Sequence, residues 1–151
     1  MGKHDKIAAR FAGLIAADAG GHHPCYTEYF RLFNEREYYA AHDVLEHLWL
    51  GSEGEQHTFY KALIQLAGGY VHLQHQHREP DHRIHGRRLR PAARLFKRCA
   101  ELLEPLPDSY EGLDVAAIRA LALGQADELA RSGFTGNVWT PATAPRLDPP
   151  D

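Results

Sequence analysis

The sequence of 151 residues holds only two cysteines, Cys25 and Cys99, and neither forms a Cys-x-x-Cys pair. Zinc ribbons, dithiol redox sites and disulfide frameworks all need paired cysteines, so these classes are excluded. Two free thiols are typical of a cytoplasmic protein, and we expect that location. No apolar run approaches the roughly 20 residues of a membrane span, and charged residues interrupt the N-terminus where a signal peptide would lie.

Common catalytic signatures are also missing. The chain has no P-loop and no Gly-x-Gly-x-x-Gly segment, and its serines stand at turn or cap positions without a nucleophile-elbow context. The formal net charge is −3, so general attraction to nucleic acid or to an anionic membrane is not expected. Histidine, in contrast, is abundant: the chain has 11.

Apolar residues recur at helical spacing along most of the chain, whereas strand-like alternation is missing. One face of residues 4–18 carries Ile7, Phe11, Leu14 and Ile15. Further on, the spacing predicts an aromatic helix that begins at Pro24 and two helices over about 35–50 and 53–77. A fourth helix is predicted to have Pro91 in its first turn and to end before Pro105. The last predicted helix lies between Asp114 and Gly133.

The helices over 35–50 and 53–77 are separated by a few residues, so they are predicted to pack antiparallel. Asn34 and Ser52 are predicted to cap them, because each has a glutamate three residues on, as in a capping box. Gly68-Gly69 inside the second helix costs roughly 1–2 kcal/mol of helix propensity, which predicts close approach by another helix, or a kink.

These patterns predict an all-α fold, a compact bundle of about five helices around a central antiparallel helical hairpin. We expect one all-α domain over 1–133. Residues 134–151 hold four prolines and are predicted to form a Pro-rich extended or disordered tail, from which Phe134 and Trp139 can dock on the bundle.

Three segments resemble a known family. FNEREYYAAHDVLEHLWL, then FYKALIQLAGGYVHLQ, and later PDSYEGLDV look like the helical family called domain of unknown function 309. Its members carry patterns close to FNxxxYYEAHExxExLW, FxxGLIQLAxAxxH and YxGLDV, so the resemblance spans roughly residues 24–131. It implies a small all-α bundle, and for some members a predicted metal-dependent hydrolase. The positions that match the family pattern are Asn34, Tyr38, Tyr39, His42, Glu46, Trp49, Gln65 and His72.

The sequence departs from the family pattern in three places. Asp43 and Ala62 stand where the family usually has Glu and Gly, and a longer segment rich in histidine and arginine replaces a Gly-Asn segment over 75–90. The role of this segment is left open by the sequence.

His42 and Glu46 are the first candidate site, because residues four apart share one face of a helix. Asp43 and His47 form a second pair of this kind. Such pairs can hold a divalent ion such as zinc, or form a structural hydrogen-bond network. From the rise of a helix, Gln65 should lie level with His42, and His72 should lie beside Asn34 instead. The predicted polar network therefore centres on His42, Glu46 and Gln65, with Tyr38 or Tyr39 nearby.

Two further groups are weaker candidates. His72, His75, His77, His82 and His85 could assemble a zinc or nickel site, or simply be a solvated helix end. A basic row could hold a phosphate group, RNA or an acidic partner if the segment is helical throughout; its members are Arg83, Arg87, Arg90, Arg94 and Arg98.

Two functional hypotheses follow. In the first, the protein is a metal-dependent hydrolase in which His42 and Glu46 bind the ion and Asp43 or His47 serves as ligand or base. In the second, it is a non-catalytic structural or interaction module in which the same residues lock the hairpin. The sequence leaves open whether the protein is an enzyme. We expect no membrane or nucleic-acid partner, and self-association through leftover apolar faces is left open.

Overall fold

The structure, a computed structural model, describes residues 21–151, and the predicted apolar face over 4–18 lies outside these residues. Five helices account for most of the described chain, which confirms the predicted all-α bundle. They are α1 (Pro24–Asn34), α2 (Tyr38–Leu50), α3 (Gly54–Arg78), α4 (Leu89–Leu103) and α5 (Val115–Arg131). A two-residue ladder pairs β1 (Ser109–Tyr110) with β2 (Leu113–Asp114) antiparallel, directly before α5.

The helices α2 and α3 form the predicted antiparallel hairpin. At the connection between them, the Trp49 and His57 rings stack with centroids 4.7 Å apart. At the far end, Tyr38 stacks on Tyr70 at 5.3 Å. Residues near the start of α2 therefore meet residues late in α3, as an antiparallel pair requires.

Close approach by α4 explains the paired glycines of α3. A methyl group on Gly69 would lie 2.6 Å from Cε1 of Phe96, and one on Gly68 would lie 3.0 Å from Cδ1 of Leu95. The predicted close approach by another helix is therefore confirmed, and α3 continues through both glycines.

The predicted helix caps are partly wrong. Asp114 caps α5 as predicted, since its side chain accepts a hydrogen bond from the backbone N–H of Ala117 at 3.0 Å. The two predicted capping boxes are absent. Asn34 is instead the last residue of α1, and α2 begins after Glu37, whose side chain makes no cap hydrogen bond. Ser52 donates to the carbonyl of Trp49 rather than capping α3.

The segment after α5 contains no helix or strand but lies against the bundle. Trp139 and Leu147 are buried, and the Trp139 indole N–H donates to the Tyr38 hydroxyl at 3.0 Å. The Asn34 side chain forms two hydrogen bonds with the backbone of Leu147. Its Oδ1 accepts from the N–H at 2.7 Å, and its Nδ2 donates to the carbonyl at 2.9 Å. These contacts join the segment to α1 and α2; the domain boundary at residue 133 stays a prediction.

A tyrosine- and phenylalanine-rich core holds the bundle together. Tyr29, Phe33 and Phe59 are fully buried, and the Tyr29 hydroxyl donates to the Leu63 carbonyl at 2.7 Å. Edge-to-face aromatic pairs such as Phe33 on Tyr38, at 5.1 Å, contribute about 0.5–1.5 kcal/mol beyond simple burial. Within residues 21–151, no helix has the length and apolar character that crossing a membrane requires.

Candidate functional site

One polar group lies on the half-buried side of α2. The buried residues of this helix, such as Val44 and Leu45, face the core. His42, Asp43 and Glu46 stand beside them, with side chains that are 28%, 13% and 16% exposed. The helix thus brings together three of the predicted site residues at the edge of the core, where they are shielded but can still be reached by solvent.

The ligand atoms of these three side chains converge. His42 Nδ1 lies 3.2 Å from Asp43 Oδ1 and 3.6 Å from Glu46 Oε2, and all three ligand atoms lie within 4.8 Å of one another. Two ligand atoms that share one zinc ion at about 2.1 Å in a tetrahedral arrangement are about 3.4 Å apart. The observed spacing therefore suits a shared divalent ion.

The chemistry of these donors also suits such an ion. One imidazole and two carboxylates supply three protein ligands, as catalytic zinc sites do, whereas structural zinc sites are closed by four. The same distances equally suit a protonated His42 that is paired with two carboxylates. The geometry alone is thus compatible with an ion and with an ion pair.

The two tyrosines of the predicted network lie on different sides of α2. Tyr39 is 62% exposed, and its ring stacks on the His42 ring with centroids 6.2 Å apart. Tyr38 is buried in the core, where it accepts the hydrogen bond from Trp139, and burial raises its pKa. Of these two tyrosines, Tyr39 is the one that contacts the group on α2.

Gln65 is half-buried on α3. Among residues 21–151, its side-chain amide makes no hydrogen bond. A Gln65 link to His42 and Glu46 stays a prediction.

His47 lies one helical turn after Asp43 and lines a separate cavity of about 470 Å³. His23, Ser52, Gln56 and Tyr60 also line this cavity. His23 Nδ1 accepts a hydrogen bond from the backbone N–H of Cys25 at 3.0 Å, and burial, followed by the nearby His47, lowers the pKa of His23. The imidazole of the residue that caps α1 and an imidazole of α2 thus line the same cavity, a combination that the sequence analysis did not predict.

His72, which was also a candidate for the polar network, contacts Arg88 and belongs to a network around that arginine. The Arg88 guanidinium donates from Nη1 to His72 Nδ1 at 3.1 Å and from Nη2 to His85 Nδ1 at 2.5 Å. Burial, and next the charge of Arg88, lowers the pKa of His72 to about 4. Burial and the neighbouring arginine thus both favour the neutral form of His72.

This network argues against a metal ion at the histidine-rich segment. His75, Glu79 and His85 also have ligand atoms within 4.8 Å of one another. A neutral imidazole has a single lone pair, however, and that of His85 accepts the hydrogen bond from Arg88. In this arrangement its Nε2 carries a hydrogen, 3.7 Å from Glu79 Oε2, so a metal ion would have to displace the hydrogen bond from Arg88. The stacked rings of His75 and His85, 4.6 Å apart, fasten the loop 79–88 to α3 instead.

Arg88 itself was missed by the sequence analysis, which did not include it in the basic row. Its backbone N–H also donates to Gln76 Oε1 at 2.9 Å. The partners lie 3 to 16 residues away across an irregular loop, so no helical spacing could have indicated them. The basic row is also shorter than predicted, since α4 begins at Leu89 and only Arg90, Arg94 and Arg98 are helical.

Comparison with known proteins supports the family resemblance over part of the chain. Residues 26–83 match the model of a family described as Domain of unknown function (DUF309). The match contains the α2–α3 hairpin and the group on α2, whereas the PDSYEGLDV segment lies beyond it. No curated protein and no solved structure matches the chain.

Proposed function

We propose that this chain, which resembles the DUF309 family over residues 26–83, is a metal-dependent hydrolase with its metal site on α2. His42, Asp43 and Glu46 would hold a divalent ion, zinc or a similar one. The observation that supports the proposal is the convergence of His42 Nδ1, Asp43 Oδ1 and Glu46 Oε2 within 4.8 Å at the edge of the core.

When bound, such an ion supplies a nucleophilic water at neutral pH by lowering the pKa of that water. The protein side chains have separate tasks in the proposal. Asp43 is the third ligand, and His47 accepts a proton at a ring nitrogen as general base. The position of His47 supports this role, since it follows Asp43 by one turn and lines the cavity that it shares with His23. That cavity is the proposed place for the substrate.

A non-catalytic structural or interaction module is the second candidate. The 3.2 Å separation of His42 Nδ1 and Asp43 Oδ1 is a hydrogen-bond distance and needs no ion. In this alternative, His42, Asp43 and Glu46 stabilise α2 by pairing with one another. The other residues of the predicted network belong to it only if they contact this group; they are Tyr38, Tyr39, Gln65 and His72. Tyr39 makes such a contact, because its ring stacks on the His42 ring.

Elemental analysis of the untagged protein, purified without chelator, separates the two candidates. The proposal predicts about one divalent ion per chain, lost in His42→Ala and in Glu46→Gln. Glu53→Gln is the matched control, because Glu53 is exposed and its side chain makes no cap hydrogen bond. His85→Ala should also keep the ion, which excludes adventitious binding by the histidine-rich loop. A wild-type protein without any ion, together with a large loss of stability in His42→Ala, would support the structural module.

Hydrolysis is tested on the metal-loaded protein with 4-nitrophenyl esters and phosphates. The proposal predicts that His47→Ala lowers kcat by about 10²–10⁴-fold, the usual contribution of a general base, while the metal content stays unchanged. Equal rates for the wild type and His42→Ala would contradict a role of this site in hydrolysis.

A further inference from the structure

A groove runs between α4 and α5 on the side of the bundle where α4 carries its basic residues. Its floor is apolar and includes Leu123, which is 45% exposed, and the half-buried Phe134. One end is a depression of about 350 Å³ that Arg94, Lys97 and Asp127 border. An adjoining depression of about 380 Å³ extends the groove towards Arg87.

The two depressions meet at one stacked pair. Arg90 and Phe134 line both of them, and the Arg90 guanidinium lies 4.2 Å from the centre of the Phe134 ring. This cation–π contact holds the guanidinium over the Phe134 ring at the wall of the groove. The groove is thus elongated, with one shallow recess on each side of the stack.

The α4 edge of the groove is cationic and unpaired in the part of the chain that the structure describes. Arg90, Arg94 and Lys97 are exposed and make no hydrogen bond or ion pair with a carboxylate of residues 21–151. Arg98, one turn after Arg94 but outside the lining of the groove, does form an ion pair with Glu101 at 3.6 Å. The spacing of four and then three residues places the three unpaired cations along one line.

This combination of features selects the kind of occupant. An apolar floor beside a cationic edge complements a helix that has large apolar side chains on one face and carboxylates along one border. Nucleic acid would engage the cations but not the apolar floor, and Asp127 on the opposite edge would repel its phosphates. Each recess lies near the lower end of the roughly 300–1,000 Å³ of small-molecule sites, a size suited to single anchoring side chains.

We infer that this groove is a docking site for an acidic amphipathic helix of a partner protein. Acidic side chains spaced three or four residues apart pair with Arg90, Arg94 and Lys97. Two apolar anchors of the same helix fill the recesses on either side of the Arg90–Phe134 stack. The site is separate from the group on α2, so this interaction does not depend on the proposed hydrolase activity.

A fluorescein-labelled peptide of about five turns is the probe, with leucines on one face and glutamates along one border. Fluorescence anisotropy with the full chain should give a Kd below about 100 µM. Arg94→Gln combined with Lys97→Gln should weaken binding at least about tenfold, and Leu123→Ser should do so independently. Arg98→Gln is the matched control, since it removes an exposed arginine of α4 outside the groove, and it should change Kd less than about twofold.

Two peptide controls test the chemistry of the occupant. Replacing the glutamates with lysines should abolish binding, and replacing the leucines with serines should weaken it at least about tenfold. Amide chemical shifts of the wild-type protein should change along α4 and α5 when the acidic peptide is added.

Three outcomes would overturn the inference. The first is no binding of the acidic peptide. The second is equal losses for Arg94→Gln with Lys97→Gln and for Arg98→Gln, which would indicate general charge attraction. The third is tighter binding of single-stranded RNA at the same residues, or burial of the groove by a second copy of this chain in sedimentation experiments.

Discussion

Replacing Gly69 with alanine tests the packing of α3 on α4. The new methyl group would lie 2.6, 2.7 and 2.9 Å from three ring atoms of Phe96. Phe96 is fully buried, and its ring packs edge-to-face on Tyr70 at 4.8 Å, so it cannot move without disturbing the core. Such overpacking costs about 1–3 kcal/mol. The gain in helix propensity from alanine offsets about 1 kcal/mol of this. We expect a net loss of up to about 2 kcal/mol of unfolding free energy.

Urea unfolding followed by circular dichroism measures this loss, and the chain offers two matched glycines. Gly124 lies within α5, and apart from its own helix no atom of residues 21–151 lies within 4 Å of the position that a methyl group would take there. Gly124→Ala should therefore stabilise the protein by about 0.5–1 kcal/mol. Gly68 should give an intermediate result, because its nearest neighbour at 3.0 Å is the flexible end of Leu95. If Gly69→Ala proves as stable as Gly124→Ala, the close approach of α4 to α3 described above is wrong.

Three further predictions concern other parts of the bundle. The pKa of His72 is about 4 in the folded protein, against an ordinary value near 6.5. The contribution of the neutral His72 to the free energy of unfolding is therefore complete above about pH 6.5 and is lost as the pH falls towards 4. Because the side chain is partly exposed, we expect about 1–2 kcal/mol for this effect, measured as the difference in pH dependence of urea unfolding between the wild type and His72→Gln. Asn34→Ala removes both hydrogen bonds to the backbone of Leu147 and should cost about 1–3 kcal/mol, with increased amide exchange at Leu147; unchanged exchange there would contradict the docking of the C-terminal segment. Burial raises the pKa of Cys25 to about 11 and that of Cys99 to about 12, so a thiol reagent at pH 8 should label neither in the native protein and both in urea, and rapid native labelling would show that this part of the core opens.

The long helices were predictable because their signals are local. Apolar spacing and a short connection suffice to define the α2–α3 hairpin, and the paired glycines of α3 indicated the close approach of another helix. The cap at Asp114 is equally local, since the side chain bonds to the backbone three residues on. Each of these features depends on residues within a few turns of one another.

The predicted cap at Asn34 is wrong because the side chain bonds to a residue that is distant in the sequence. Asn34 has the sequence context of a cap, yet its amide bonds to the backbone of Leu147, 113 residues later. Nothing in the local spacing indicates that partner, because it depends on where the C-terminal segment crosses α1. The hydrogen bond from Trp139 to Tyr38 is a similar case, since donor and acceptor are 101 positions apart in the sequence.

The candidate site divides in the same way. Helical spacing predicted that His42 and Glu46 share a face, and Asp43 joins them in the structure. In contrast, His23 and His47 line one cavity from two different parts of the chain. Arg88 likewise forms hydrogen bonds with His72 and His85, which do not share one helix with it. Such contacts require the packed tertiary structure, which residue spacing within one helix does not provide.

Anomalous diffraction tests the central proposal most directly. Crystals of the untagged protein, grown with zinc or manganese at about one equivalent, would be measured on both sides of the absorption edge of that metal. The proposal predicts one strong anomalous peak between His42 Nδ1, Asp43 Oδ1 and Glu46 Oε2. A peak only at His75, Glu79 and His85, or no peak on the protein, would contradict a metal site on α2.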